Sequence, residues 1–225
     1  MIIGSGLLAR AFYPLYLNRA DVCIYAAGVS NSSCVDKKEF DREKERIQNT
    51  LNKCSKDLLF VYFGTCSFSD PEMLNSPYVK HKIAMEYLVQ THPNYLIFRL
   101  PQVAGRTPNP NTLLNYLYAR ISRSESFNLW ANAKRNIIDV DDILLVANQI
   151  IEKNLFNNKV INIANPVNYK MTEIVEMMET VVGKKAIFEV LDRGSEYLID
   201  VNSVTLAGVD FDEYYLSKLI TKYYS

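Results

Sequence analysis

Leu58-Leu59-Phe60-Val61-Tyr62-Phe63-Gly64-Thr65 is the stretch that decides the fold of this chain. Six apolar residues in a row leave no polar face. The segment therefore reads as a strand buried on both sides, as in a parallel sheet covered by helices. The run stops at Gly64-Thr65, where the C-terminal edge of such a strand would present a hydroxyl. Further on comes Ser76-Pro77-Tyr78-Val79-Lys80-His81-Lys82. Ser76 suits an N-cap and Pro77 a first helical position, so a helix should open here. On that helix Tyr78 and Lys82 are four apart and share one face. A hydroxyl, a phenol and an ammonium then converge near one strand end, an arrangement suited to proton transfer.

The Tyr-x-x-x-Lys spacing is weak by itself. With 15 tyrosines and as many lysines, it is expected about once by chance. It also occurs at Tyr214/Lys218, in a C-terminal amphipathic segment with no strand and hydroxyl before it, which reads as ordinary helix surface.

Outward from this stretch, strands and helices alternate. Ile2-Ile3 begins a short strand, and Leu7 to Tyr13 a helix that Pro14 should end or kink. Asp21 to Ala27 is a second buried strand and Asp36 to Cys54 a charge-rich amphipathic helix. The helix from Pro77 runs to about Gln90, and Tyr95 to Leu100 is another strand. This alternation predicts an α/β fold with a parallel sheet flanked by helices. Past Pro101 the texture changes, with a Pro/Asn-rich loop at Arg106 to Asn111. Helices are expected over Thr112–Ser122, Val140–Lys153, Thr172–Val182 and Asp212–Tyr224. Short strands are expected near Phe127–Leu129, Asn136–Ile138, Val160–Ala164 and Ala186–Val190.

Bulk composition narrows the function classes. The formal net charge is zero and the basic residues are dispersed, which argues against nucleic-acid or anionic-membrane partners. No apolar run approaches a membrane span of about 20 residues, and Met1-Ile2-Ile3-Gly4 lacks the basic region of a signal peptide. The four cysteines form no Cys-x-x-Cys pair and read as reduced thiols of a cytoplasmic protein. With His81 and His92 as the only histidines, a His-based metal site or a Ser-His-Asp triad is not expected.

Gly4-Ser5-Gly6-Leu7-Leu8-Ala9 follows the first strand and opens a helix, a Gly-x-Gly-x-x-Ala form of the dinucleotide fingerprint. Joined to Thr65, Tyr78 and Lys82, it resembles the extended short-chain dehydrogenase/reductase family. The likeness is closest to the nucleotide-sugar branch of NAD-dependent epimerases, dehydratases and ketoreductases. Ala26-Ala27-Gly28 resembles the family's strand-end motif beside the dinucleotide. Arg99-Leu100-Pro101-Gln102-Val103-Ala104-Gly105 resembles the segment after the next strand, with Gln102 where the family usually carries a sugar-nucleotide-binding Asn. The segment from Arg135 to Asp142 resembles the one whose Arg binds the nucleotide's phosphates, and Arg193-Gly194 resembles a second phosphate-binding arginine. Asp200-Val201-Asn202 with Leu206-Ala207-Gly208 resembles the closing segment. The set covers essentially the whole chain, in order.

The resemblance implies a Rossmann-like dinucleotide-binding domain over residues 1–105. It implies a small α/β subdomain, mainly for substrate, over 106–225, with segments free to return to the sheet. NAD or NADP would lie on Gly4, Gly6, Leu7, Leu8, Ala26, Ala27, Gly28, Tyr78, Lys82 and Pro101. A nucleotide sugar would meet Thr65, Cys66, Ser67, Gln102, Arg135 and Arg193. Thr65, Tyr78 and Lys82 would be catalytic, with Lys82 and a positive nicotinamide lowering the phenol's pKa. A homodimer through the helices Asp36–Cys54 and Pro77–Gln90 is also implied. The activity implied is a sugar-nucleotide epimerase or ketoreductase; the other reading is a nucleotide- or nucleotide-sugar-binding protein on a decayed scaffold.

Two departures qualify this. Only 19 residues separate Gly6 from Ala26, so the two strands that normally hold the adenosine, and the acid that binds its ribose, are missing. A right-handed crossover through one helix would then move that helix to the opposite sheet face from its usual family position. Second, dehydratases of the family follow the Thr with Asp-Glu, whereas Cys66-Ser67 stands here, which argues against 4,6-dehydration.

Overall fold

The computed structural model describes residues 1–202 and 208–225. Leu206 and Ala207 of the expected closing segment lie outside the described residues. Five parallel strands form the central sheet: β1 (Ile2–Ile3), β2 (Val22–Tyr25), β3 (Leu59–Thr65), β4 (Tyr95–Leu100) and β8 (Lys159–Asn162), in the order β1-β2-β3-β4-β8. In register, Tyr25 lies beside Tyr62 and Thr65 beside Leu100. Because all five run the same way, their C-terminal ends open on one side of the sheet, where α/β folds bind ligands. β1 is an edge of two residues, with no strand beyond it among the described residues. This is the corner that the short Gly6–Ala26 segment left without its two strands.

β3 is buried on both faces, as its apolar run requires. Val61 and Phe63 join Val22, Ile24, Leu96 and Phe98 on one face, against Phe12 and Tyr16 of α1 (Leu7–Tyr16) and Ile143, Val146 and Ile150 of α5 (Val140–Glu152). Phe60 and Tyr62 join Cys23, Tyr25 and Ile97 on the other. There they meet Ile47 of α2 (Lys37–Lys53) and Met85 and Val89 of α3 (Pro77–Val89). So α1 and α5 share one face while α2 and α3 share the opposite one.

This arrangement corrects the expectation for the first crossover. β1-α1-β2, β2-α2-β3 and β3-α3-β4 all step in the same direction across the sheet. α1 lies on the opposite face from α2 and α3, so its crossover has the opposite hand. The two later connections follow the right-handed rule, and the first is the left-handed exception. α1 lies beside α5, where Phe12 and Tyr16 of its buried stripe join the apolar strand residues and Ile143, Val146 and Ile150 in one core. The Tyr16 hydroxyl also donates to Asn148 Oδ1 on α5 at 2.8 Å.

Pro14 does not end α1 but sits inside it. A helical proline forfeits one backbone bond. Here that loss falls in the last turn, which burial of Tyr16 holds in place. α2 opens on Asp36, whose carboxylate accepts from the Lys38 amide, and α3 on Ser76, whose hydroxyl accepts from Val79.

Beyond β4 a second core forms. It gathers α4 (Leu113–Ser122), α6 (Met171–Val182) and α7 (Tyr215–Tyr224) around two small sheets, β10-β6 and β5-β7-β9. Here β5 is Gln102–Ala104, β6 Phe127–Trp130, β7 Lys134–Asp139, β9 Asn168–Lys170 and β10 Phe188–Leu191. β8 and α5 belong to the main sheet although they lie past residue 106. β5 and β9 were not anticipated, being three residues each. Gly183 ends α6 in the left-handed conformation, at φ 72°. Among the described residues no helix is long and apolar enough to cross a membrane.

Candidate active site

A cleft of about 620 Å³ opens along the C-terminal ends of β1, β2, β3 and β4. Gly4 stands at its floor, where the end of β1 turns against β2. Its φ is +131°, and a Cβ there would come within 2.3 Å of the Ala26 carbonyl oxygen. Only glycine fits both conditions. Gly6 then caps α1 with no side-chain hydrogen bond, no acid lies in the first turn, and a Cβ on Gly6 would meet only open space. The first-turn amides of α1, at Leu7 and Leu8, therefore border the cleft without a side-chain cap, as a pyrophosphate at a helix N-terminus requires. A dinucleotide fits this floor on the chemistry of these donors.

Ala26, Ala27 and Gly28 form the adjoining wall, and Pro101 and Gln102 the wall opposite. Gly28 lies directly over Lys82 and Glu43. A Cβ on it would stand 2.8 Å from both Lys82 Nζ and Glu43 Oε1. Thr65, Ser67, Tyr78 and Lys82 close the cleft at the far end. Thr65 Oγ1 accepts from the Ser67 amide at 3.1 Å and lies 3.0 Å from Ser67 Oγ. Burial pushes the Tyr78 phenol up to about 12. A hydrogen bond with the Thr65 side chain works downward, and the Glu43 carboxylate adds to the rise. Without a cofactor the phenol is thus held above its ordinary value; the lowering that the resemblance implies includes the charge of a bound nicotinamide.

Beneath the cleft lies Glu43 of α2. Glu43 is almost fully buried. Its Oε1 is 3.2 Å from Lys82 Nζ and accepts from the Tyr62 hydroxyl at 2.7 Å. Its Oε2 accepts from the Val29 amide at 2.7 Å and lies 3.0 Å from His81 Nε2. Burial by itself would raise this carboxyl's pKa. The Lys82 ammonium, the His81 ring and the Val29 amide outweigh it, so the group is held well below the usual carboxylate range. Lys82 Nζ also sits 4.5 Å from the Tyr62 ring centroid, and His81 stacks on Phe40. The charge of Lys82 is therefore matched from below. The sequence reads α2 as a charge-rich amphipathic helix, without singling out Glu43 on its buried face. The available signal was that Phe40, Glu43, Ile47 and Thr50 fall at helical spacing on one face, which places an acid within the apolar stripe.

Other expected site residues lie elsewhere. Cys66 is fully buried and absent from the cleft lining, and burial pushes its thiol up to about 12. Arg135 lies over Trp130, 5.8 Å from the ring, and donates to the Lys134 carbonyl. Arg193 is exposed on the loop after β10, next to Gly194, whose amide donates to Glu72. Neither arginine lines the cleft. Tyr214 and Lys218 lie on the surface of the C-terminal segment, Lys218 paired with Asp212.

Comparison with known proteins follows the same lines. The sequence model of the NAD dependent epimerase/dehydratase family matches residues 18–164. The match begins beyond the shortened corner. No curated protein matches the chain. Among solved structures, UDP-glucuronic acid 4-epimerase from Bacillus cereus, in complex with UDP-glucuronic acid and NAD, is similar at a TM-score of 0.75 and 19% identity. That likeness covers 96% of this chain and 76% of that one. RMD from Pseudomonas aeruginosa complexed with NADPH gives 0.72 at 14%, over 100% and 99% of the two chains. The dTDP-glucose 4,6-dehydratase from Bacillus anthracis with NAD gives 0.70 at 15%, over 90% and 70%. At these identities the likenesses establish the fold.

Proposed function

This chain belongs to the NAD dependent epimerase/dehydratase family, and we propose that it is an NAD(P)-dependent nucleotide-sugar epimerase or ketoreductase. The observation that carries this reading is the meeting of Thr65, Tyr78 and Lys82 with the uncapped first turn of α1 on one cleft. Bound nicotinamide supplies or accepts the hydride at a sugar carbon. Tyr78 handles the proton. In oxidation the substrate's O–H proton passes to the phenolate as the C–H bond breaks and C=O forms. In reduction the neutral phenol returns it to the nascent oxygen. Thr65 hydrogen-bonds the same sugar oxygen and fixes it for transfer. Lys82 holds the cofactor's ribose beside Gly28, and the Leu7 and Leu8 amides hold its pyrophosphate. Gln102 and Ser67 border the sugar side. With Cys66 buried and Ser67 a hydroxyl, no carboxylate follows Thr65 to serve as a dehydratase's acid or base.

The raised Tyr78 pKa has a direction that can be measured. kcat/KM reports groups of the free enzyme. A base that must be ionised but that burial holds above its ordinary value gains up to about tenfold in ionised fraction per pH unit below its pKa. In the oxidation direction, kcat/KM is expected to climb steadily across the neutral range. In the reduction direction, where the neutral phenol donates, it stays flat. A plateau in oxidation near neutrality would show that something else sets the proton's exit.

The second reading, a binding protein without turnover, draws on two features: the missing adenosine-side strands and the neutralised Lys82. Saturable dinucleotide binding with no hydride transfer to any UDP-, dTDP- or GDP-sugar would favour it. We further propose a homodimer through α2 and α3. A monomer mass by light scattering at working concentration would overturn that proposal.

A further inference from the structure

We infer that the cleft is built for a 2′-phosphorylated dinucleotide, and that Arg46 of α2 binds the 2′-phosphate in place of the strands this chain lacks. The inference rests on the dinucleotide-binding reading and deepens it.

The charge of the cleft wall is one-sided. Arg10, Arg46 and Lys82 line it, and no aspartate or glutamate does so among the described residues. Lys82 is matched by Glu43 from beneath, and Arg10 reaches the Arg106 carbonyl at 3.1 Å. Arg46 is exposed and enters no ion pair among the described residues, whereas Arg42, one turn earlier, is paired with Glu39. Two arginines of one helix face are thus in different states, and the one on the cleft is the one left to an external anion.

Its place is equally specific. Arg46 lines the cleft and also a second cavity, which continues past it along the β1 edge between Met1, Ile3 and α2. A dinucleotide whose pyrophosphate rests on the first turn of α1 and whose nicotinamide faces Tyr78 extends its other half over this edge. In longer sheets a strand beyond β1 can offer an acid to a free ribose diol. Here β1 is the edge. The one acid in the second cavity, Glu45, is accompanied there by Arg42, Arg46 and Lys53. A guanidinium matches a phosphate's oxygens in bidentate geometry and gives a ribose diol no acceptor. Ser30 and Ser32 add hydroxyls to the same wall.

The test is a fluorescence titration of the whole protein with NADPH and with NADH, at two salt concentrations. The wild type is expected to bind NADPH at least tenfold tighter than NADH, with the steeper loss of affinity in salt. Arg46→Gln brings NADPH to within about twofold of NADH and leaves NADH nearly unchanged, while Arg46→Lys retains part of the preference. Equal affinities in the wild type, a preference for NADH, or a preference that survives Arg46→Gln would each overturn the assignment while leaving dinucleotide binding intact. Failure of both dinucleotides to bind a folded protein at millimolar concentration would instead remove the dinucleotide reading, and this inference with it.

Discussion

Tyr78→Phe is expected to lower turnover by roughly 10²–10⁴-fold, the usual worth of a positioned proton donor or acceptor. The substitution deletes one oxygen and keeps the ring that packs against Val29 and Val79. Thr65 keeps its bonds to Ser67, and Lys82 its contact with Glu43. The thermal midpoint and the dinucleotide affinity should therefore stay near wild type while hydride transfer collapses in both directions. A variant that retained most of its turnover would remove Tyr78 from the chemistry. A variant that also lost dinucleotide affinity would show that the phenol holds the cofactor as well as the proton.

The largest effect on stability is expected from Glu43→Ala. Truncation leaves Lys82 nearly buried without a counter-ion, and strips acceptors from the Tyr62 hydroxyl and the Val29 amide. Removing one member of a buried ion pair costs about 3–5 kcal/mol. For a chain of this size that lowers the melting temperature by on the order of 10 °C. The pH dependence has a definite sign. Glu43 is held below its unfolded value, so its contribution is fully present above the ordinary carboxylate range and is lost as pH falls through the folded value. The stability gap between wild type and Glu43→Gln should be steady near neutrality and narrow in acid. A gap of under about 1 kcal/mol for Glu43→Ala, the worth of a solvated pair, would mean that Glu43 is not the counter-ion of Lys82. Because Glu43 also helps to hold Tyr78 neutral, Glu43→Gln should raise kcat/KM for oxidation at a given pH in whatever protein remains folded.

Legibility in the sequence was uneven for a physical reason. Features set by local chemistry could be read directly. The apolar run from Leu58 ran into β3 as expected, Ser76-Pro77 opened α3, and Gly183 ended α6. Three-residue strands such as β9 carry too little periodicity to stand out. Residues whose meaning depends on what packs against them could not be placed from the sequence. Glu43 lies in a run of charges; its spacing with Phe40, Ile47 and Thr50 marks it as facing inward, but that it meets Tyr62 and Lys82 there is a tertiary fact. Arg135 and Arg193 sit in segments that resemble a phosphate site, yet one lies over Trp130 and the other on an exposed loop.

By itself, then, the sequence determined that strands alternate with helices, that two strands are missing after Gly6, and that Thr65, Tyr78 and Lys82 can share one strand end. Burial periodicity and capping chemistry suffice for the first and the last; the missing strands follow from the short Gly6–Ala26 segment set against what the family resemblance implies. The side of the sheet that α1 takes, the neutralisation of Lys82 and the exposure of Arg46 at a bare edge were decided only in the tertiary structure. Connectivity permits either face for α1. Burial of Phe12 and Tyr16 in the core beside α5 favours one, against the usual hand of the crossover. In the same way a charged side chain has no fixed role until packing sets its solvent and its neighbours, and Glu43 and Arg46, three residues apart on one helix, end on opposite sides of that choice.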